Sequence, residues 1–336
     1  MFIKSLILIS LRIELSLTQN DLEVIEVSVS PGHIERVPSR ISVPRRIWKL
    51  ASFATALLGG LGIAPRPSRA EQLKRPAVEA FERYVRSSEA RSDQELAGGK
   101  IFLWMDALPQ PDRSQTYADL KQGEIITRRY QPCGAPDCSA IPGGLIHDWI
   151  AIVFVPGISM PQAVAALQDY DHDAEYYRPE VLKSKLLERS GDQFRVFLRL
   201  KRVQVVTVVF DTEYDVRYTQ LDAAHASSRS YSTDIREVED AGKPQERDRP
   251  IGDDHGFLWR LYSYWRFYQA DGGTYIQCEA ISLTRNVPAG LGWVVRPFIE
   301  NIPAESLRFT LEATRTALLS RFTISQDSSR RTEEFK

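Results

Sequence analysis

An α+β fold of antiparallel strands closed by one long C-terminal helix is predicted by three observations. Two aromatic and β-branched runs, GFLWRLYSYWRFYQ and TYIQCEAISLTR, flank a turn at Ala270-Asp271-Gly272-Gly273. Leu307, Leu311, Thr314, Leu318 and Phe322 recur at helical spacing behind Pro303, with Asn301 as a candidate cap. Four further strand-like runs, Val181–Glu188, Gln193–Lys201, Val205–Tyr218 and His225–Val238, follow one another across short turns.

Successive side chains in a strand point to opposite faces, so each run divides into two sets. In the first run Phe257, Trp259, Leu261, Ser263, Trp265 and Phe267 form one set, which reads as buried. Leu258, Arg260, Tyr262, Tyr264, Arg266 and Tyr268 form the other, which reads as amphipathic. In the second run Ile276, Cys278, Ala280, Ser282 and Thr284 make a small-residue face that would admit a helix closely. Alternation alone leaves open whether Glu279 points inward.

The chain has 336 residues, enough for one large or two ordinary domains. A net charge of −1 supplies no basic field for nucleic acid, and three cysteines are too few for a disulfide scaffold. Residues 1–42 read as a leader without stable structure. Arg45-Arg46, the apolar stretch IWKLASFATALLGGLGIA and the small-x-small site Ser68-Arg69-Ala70 read as a signal peptide over 43–70. Cleavage after Ala70 and a periplasmic or secreted location are the expectation; an uncleaved membrane anchor is the alternative.

Residues 71–142 read as an N-terminal extension packing on the main domain. Leu73, Ala77, Ala80, Phe81, Tyr84 and Val85 form a helical stripe, Lys100–Met105 reads as a strand, residues 112–122 as a short helix and Glu124–Tyr130 as a strand. Cys133 and Cys138 in CGAPDC suit a small disulfide loop, a weak metal pair or two free thiols. Cys278 reads as a small buried hydrophobe. The main domain, 143–323, opens with the strand Leu145–Val155 and a short helix at Met160–Gln168. The charged Pro/Gly stretch 239–255 reads as a solvated, mobile loop, and 324–336 as a disordered tail.

The element order, with ISLTRNVPAGLGWVVRPFIENIPAESL running from a last strand through a Pro/Gly loop into a helix, resembles the START-like superfamily, also called SRPBCC or helix-grip proteins. The resemblance covers about Gly143 to Phe322. It implies a curved antiparallel sheet of about seven strands gripping the C-terminal helix around an apolar cavity, with lipid carriers and polyketide cyclases among the relatives. The N-terminal α/β extension and the 239–255 insertion depart from the minimal family pattern.

No phosphate loop, dinucleotide motif, HExxH or Gly-x-Ser-x-Gly occurs in the sequence. His172 lies among Asp169, Asp171, Asp173 and Glu175, an arrangement open to a cation or an acid/base pair, although carboxylates this dense more often make a solvated loop. Glu213, Arg229, Tyr231 and Glu279 would form a polar cluster at a cavity floor if their faces point inward; cross-strand ion pairs on an outer face are the alternative. With Trp259, Ser263 and Trp293 they make the expected ligand-binding set, and the Asn286–Trp293 loop the expected gate. No catalytic residue, metal ligand or cofactor is assigned. The expected function is an exported protein holding a lipid or other apolar small molecule, with no nucleic-acid partner and with transient membrane contact as an option. A cyclase- or hydrolase-like enzyme using a cavity His/carboxylate pair is the alternative, and a side-chain-filled structural domain the third reading.

Overall fold

The turn at the centre of the sheet is set by two residues in the left-handed region, Asp271 (φ 53°) and Gly272 (φ 74°). That geometry matches the right-handed twist of paired strands and closes a tight hairpin. The next residue, Gly273, has no room for a side chain. A Cβ there would lie 2.4 Å from the Val155 carbonyl oxygen and 2.7 Å from the Phe154 ring. Gly273→Ala is therefore expected to lower the unfolding free energy by about 2–3 kcal/mol, read as a shifted urea midpoint.

The computed structural model describes residues 71–130, 140–203, 207–251, 253–286 and 292–333. In chain order the elements are β1 (Glu71–Gln72), α1 (Arg75–Gly98), a 3-10 turn (Trp104–Ala107), α2 (Asp112–Lys121), β2 (Ile126–Arg129), β3 (Ala140–Ile141) and β4 (Gly144–Pro156). There follow α3 (Met160–Leu167), a 3-10 turn (Tyr170–His172), α4 (Asp173–Tyr176), β5 (Val181–Ser190), β6 (Gln193–Val203), β7 (Thr207–Gln220) and β8 (His225–Glu239). The last elements are β9 (Arg247–Asp248), β10 (Asp253–Asp254), β11 (Arg260–Ala270), β12 (Gly273–Thr284) and α5 (Gly292–Glu333). The leader, signal-peptide and cleavage expectations, Cys133, Cys138 and most of the 286–293 loop lie outside the described residues.

The main sheet is antiparallel, curved and open, in the order β2-β4-β12-β11-β8-β7-β6-β5. The α+β class with a C-terminal helix is as expected. Leu307, Leu311 and Leu318 of α5 pack with Ala151 and Val153 of β4 and Ile276 of β12. Helix α3 starts on a reciprocal cap: Ser159 N donates to Gln162 Oε1 at 2.9 Å, and Gln162 N to Ser159 Oγ at 3.4 Å.

Three local expectations are corrected. Lys100–Met105 is not a strand; Asp106 accepts from the amides of Phe102 and Leu103 at 2.9 and 2.8 Å and winds the segment into a 3-10 turn. Helix α5 begins at Gly292 rather than near Pro303, carrying two prolines, Pro297 and Pro303, within its first twelve residues, and it runs on to Glu333 through the expected tail. The 239–255 stretch is tied down at both ends, β9 pairing with β8 and β10 with β1.

The second face of the sheet is covered as well. Phe81 and Val85 of α1 pack on Ile146, Ile281 and Leu283, while Leu103, Met105 and Leu120 pack on Ile150, Ile152 and Phe154. Both faces of β4 and β12 are thus core, which explains the near-continuous apolar run LIHDWIAIVFV.

Candidate functional site

The face of the sheet turned toward α5 has an accessible floor at its centre. Trp149, Leu261, Ser263, Trp265 and Ala280 stand on interior strands yet are only half-buried. Of their chain neighbours, which point the other way, Asp148, Tyr264, Arg266, Glu279 and Ile281 are buried, while Arg260 and Tyr262 are half-buried. The register places Ser230, Ser263, Ala280 and Trp149 side by side across β8, β11, β12 and β4. In the adjoining row Leu261 lies opposite Ser282, and Ser282 opposite His147. Ser232 closes that row by accepting from Leu261 N at 3.1 Å.

His147 is 2 % exposed and its Nε2 lies 3.0 Å from Thr284 Oγ1. Burial, assisted by the Arg129 charge, pushes its pKa down to about 4, so the ring is neutral at physiological pH. Burial also pushes the Cys278 thiol well up, with Glu279 adding to the effect, which leaves it a small apolar group.

The residues expected to meet at a cavity floor separate onto opposite faces. Ser263 lies on the accessible floor. Arg229, Tyr231 and Glu279 point to the other face and are engaged by α1. Tyr231 OH donates to Glu89 at 2.6 Å, and Arg229 pairs with Asp93. Glu279 accepts from Ser88 Oγ at 2.9 Å and from Arg91 Nη2 at 2.7 and 3.0 Å. Glu213, opposite Phe197 and Asp234, lies on that same outer face. Trp259 precedes the first residue of β11, so the strand alternation does not extend to it. It packs under α1 with Phe81, its indole donating to Asp254 at 2.9 Å. Trp293 belongs to α5, and its side chain lies outside the described residues.

Beside Glu279 on the outer face sits a second buried carboxyl, Asp148, which accepts from Tyr84 OH at 2.8 Å. Burial and the neighbouring Glu279 hold its pKa well above the ordinary carboxylate range, against the opposing pull of the Tyr84 hydrogen bond and Arg91. Arg266 crosses the same layer, donating to Phe102 O at 2.6 Å, Ser92 Oγ at 2.9 Å and Glu95 at 2.7 Å.

His172 pairs with Asp169 at 2.7 Å on the protein surface, and the carboxylate raises the imidazole pKa. Among the described residues no group of three or more His, Cys, Asp or Glu side chains is arranged to hold a metal ion. A small cavity of about 10 Å³ lies between α3, α4 and α5, lined by Leu167, Tyr177, Thr314, Leu318 and Arg321. That is room for about one water molecule. No described helix is long and apolar enough to cross a membrane.

Comparison with known proteins follows this geometry. No family model matches the chain, and no curated protein matches it. The likeness is to START-like proteins. A STAR-related lipid transfer protein from Xanthomonas axonopodis aligns at 16 % identity and a TM-score of 0.40, covering 58 % of this chain and 93 % of that one. The ZhuI aromatase/cyclase from Streptomyces aligns at 16 % identity and 0.36, covering 53 % and 96 %. A START superfamily protein from Mycobacterium smegmatis aligns at 12 % identity and 0.34, covering 53 % and 99 %. These three alignments each cover between 53 % and 58 % of this chain.

Reasoning from the sequence overlooked the serines of β8. In HASSRSYSTD it followed Arg229, Tyr231 and Thr233, the set that faces α1. The alternate set, Ser228, Ser230 and Ser232, faces α5. The usable signal was three small hydroxyl residues at a spacing of two.

Proposed function

We propose that the protein is an exported carrier that holds a lipid or other apolar small molecule between α5 and the floor of Trp149, Leu261, Ser263, Trp265 and Ala280. The observation behind this reading is that these side chains stand on central strands and face α5 yet remain only half-buried. An interior strand position with exposed indole and aliphatic carbon is where an apolar ligand gains most by excluding water.

Mass spectrometry of an organic extract of the purified chain tests this: a stoichiometric apolar compound is expected, and repeated clean extracts from the native source would count against it. Peptide mapping of the natural protein is expected to begin after Ala70; peptides from before that residue would remove the cleavage claim. Trp265→Ala is expected to weaken apolar ligand binding about tenfold or more. Trp259→Ala, which empties a site under α1, is expected to cost stability of about 3–5 kcal/mol instead. The reverse ranking in a dye-displacement titration would reassign the ligand face.

The enzyme alternative calls for a His/carboxylate pair on the floor. Among the described contacts His147 meets Thr284, His172 meets Asp169 on the surface, His225 meets Asp222 at the start of β8, and His255 meets Glu237 in the segment before β11. No catalytic role is proposed for any of them.

A further inference from the structure

We infer that the ligand of this floor is uncharged and offers the sheet a hydroxyl or carbonyl oxygen. The inference rests on the binding reading above and narrows it to a chemical class.

The polar groups on the α5 side of the central strands are neutral. Ser228, Ser230, Ser232, Ser263 and Ser282 are hydroxyls, and Tyr214 adds a phenol. Two of these are buried without a well-formed hydrogen bond: Tyr214 OH, in a residue 6 % exposed with Thr212 as its polar neighbour, and Ser228 Oγ, in a residue 3 % exposed with Tyr218 as its polar neighbour. The indole Nε1 of half-buried Trp149 is unpartnered as well. Tyr214 packs in the same cluster as Phe267 and Leu311, and the register sets Ser228 opposite both Tyr218 and Trp265, so both hydroxyls belong to the α5 side. Buried hydroxyls without well-formed hydrogen bonds are uncommon, and a ligand oxygen that accepts from them removes the penalty.

The charged side chains of the same strands leave by the other face. Asp148, Glu279, Arg266 and Arg229 are all engaged by α1. Arg129, opposite Trp149 on β2, is the cation beside this floor, and it has an interaction of its own. His147 is held neutral by burial. Among the described residues a carboxylate or phosphate laid on this floor would lose its hydration without gaining a free cation, whereas an alcohol or ketone would meet donors and acceptors of matching strength.

The test uses the full chain and three probes with one chain length, dodecan-1-ol, dodecanoate and dodec-1-ene, competing against an uncharged environment-sensitive dye near pH 8. The alcohol is expected to displace the dye about fivefold or more better than either the carboxylate or the alkene. Tyr214→Phe and Ser228→Ala are each expected to reduce the alcohol-to-alkene ratio, and thermal unfolding verifies that the variants stay folded. Tighter binding of dodecanoate than of dodecanol would overturn the inference. So would an alcohol-to-alkene ratio that neither variant moves. If the dye and all three probes fail to bind, the binding reading itself falls, an outcome distinct from a wrong ranking.

Discussion

A chain shortened to begin at Gly143 is expected to be insoluble, or to unfold without cooperativity, while the chain from residue 71 folds. Phe81, Val85, Leu103, Met105 and Leu120 are almost wholly buried against the outer face. Each contributes about 1.5–3 kcal/mol of burial free energy, so together they match the about 5–15 kcal/mol that holds a typical domain folded. Their removal would also uncover Ile146, Ile150, Ile152, Phe154 and Tyr275, a contiguous apolar surface of the kind that drives association. β2, which pairs with β4 on its free edge, would be lost too. Soluble yield and a urea melt of the two chains decide the matter. A soluble, cooperatively folding short chain would make the extension an accessory and would refute the claim that it is core.

Glu279→Ala is expected to destabilise the protein by about 3–5 kcal/mol, the range for removing one partner of a buried ion pair. It should leave ligand selectivity unaltered, because the carboxylate faces α1 and not the floor. The Arg91 guanidinium would lose two hydrogen bonds and Ser88 its acceptor. The same cluster makes the attachment of α1 sensitive to pH through Asp148. Its carboxyl pKa is raised on folding by burial and by Glu279, so the folded state favours the protonated form. The stability it contributes is fully present below the ordinary carboxylate value and is lost as pH rises through the raised value. Asp148→Asn keeps an oxygen for Tyr84 and removes the titration. Its stability relative to the parent chain should therefore climb as pH rises from the ordinary carboxylate value through the raised range. Urea midpoints of both proteins across that range provide the check, and parallel curves would mean that Asp148 does not titrate on unfolding.

The strands were legible because their alternation and turns are local properties. Val181–Glu188, Gln193–Lys201 and His225–Val238 each fall within an observed strand. The face assignment was not legible for a reason that is not local. Arg229, Tyr231 and Glu279 look like an isolated polar cluster until α1, more than 130 positions earlier in the chain, brings Asp93, Glu89 and Arg91 to them. Alternation sorts a strand into two sets and does not say which set meets which neighbour. Two covered faces remove the usual polar/apolar contrast as well. The start of α5 was misplaced because Pro303 reads as a first-turn residue, a position that suits proline but does not require one.

The strand at the far end of the sheet bears on how the molecule keeps to itself. β5 ends the ladder, and apart from the Leu186 amide, which donates to Asp171 Oδ1 at 2.8 Å, its edge offers backbone donors and acceptors that another chain could pair with. Its register with β6 slips twice, between Val181 and Lys183 and between Leu186 and Glu188, and Lys183, Lys185 and Arg189 stand exposed along it. Slipped pairing bends and twists the strand, and the positive charges resist an approaching copy of the same edge. With Leu182 and Leu187 also exposed there, those irregularities and charges guard an open sheet against growing, strand upon strand, into a fibre.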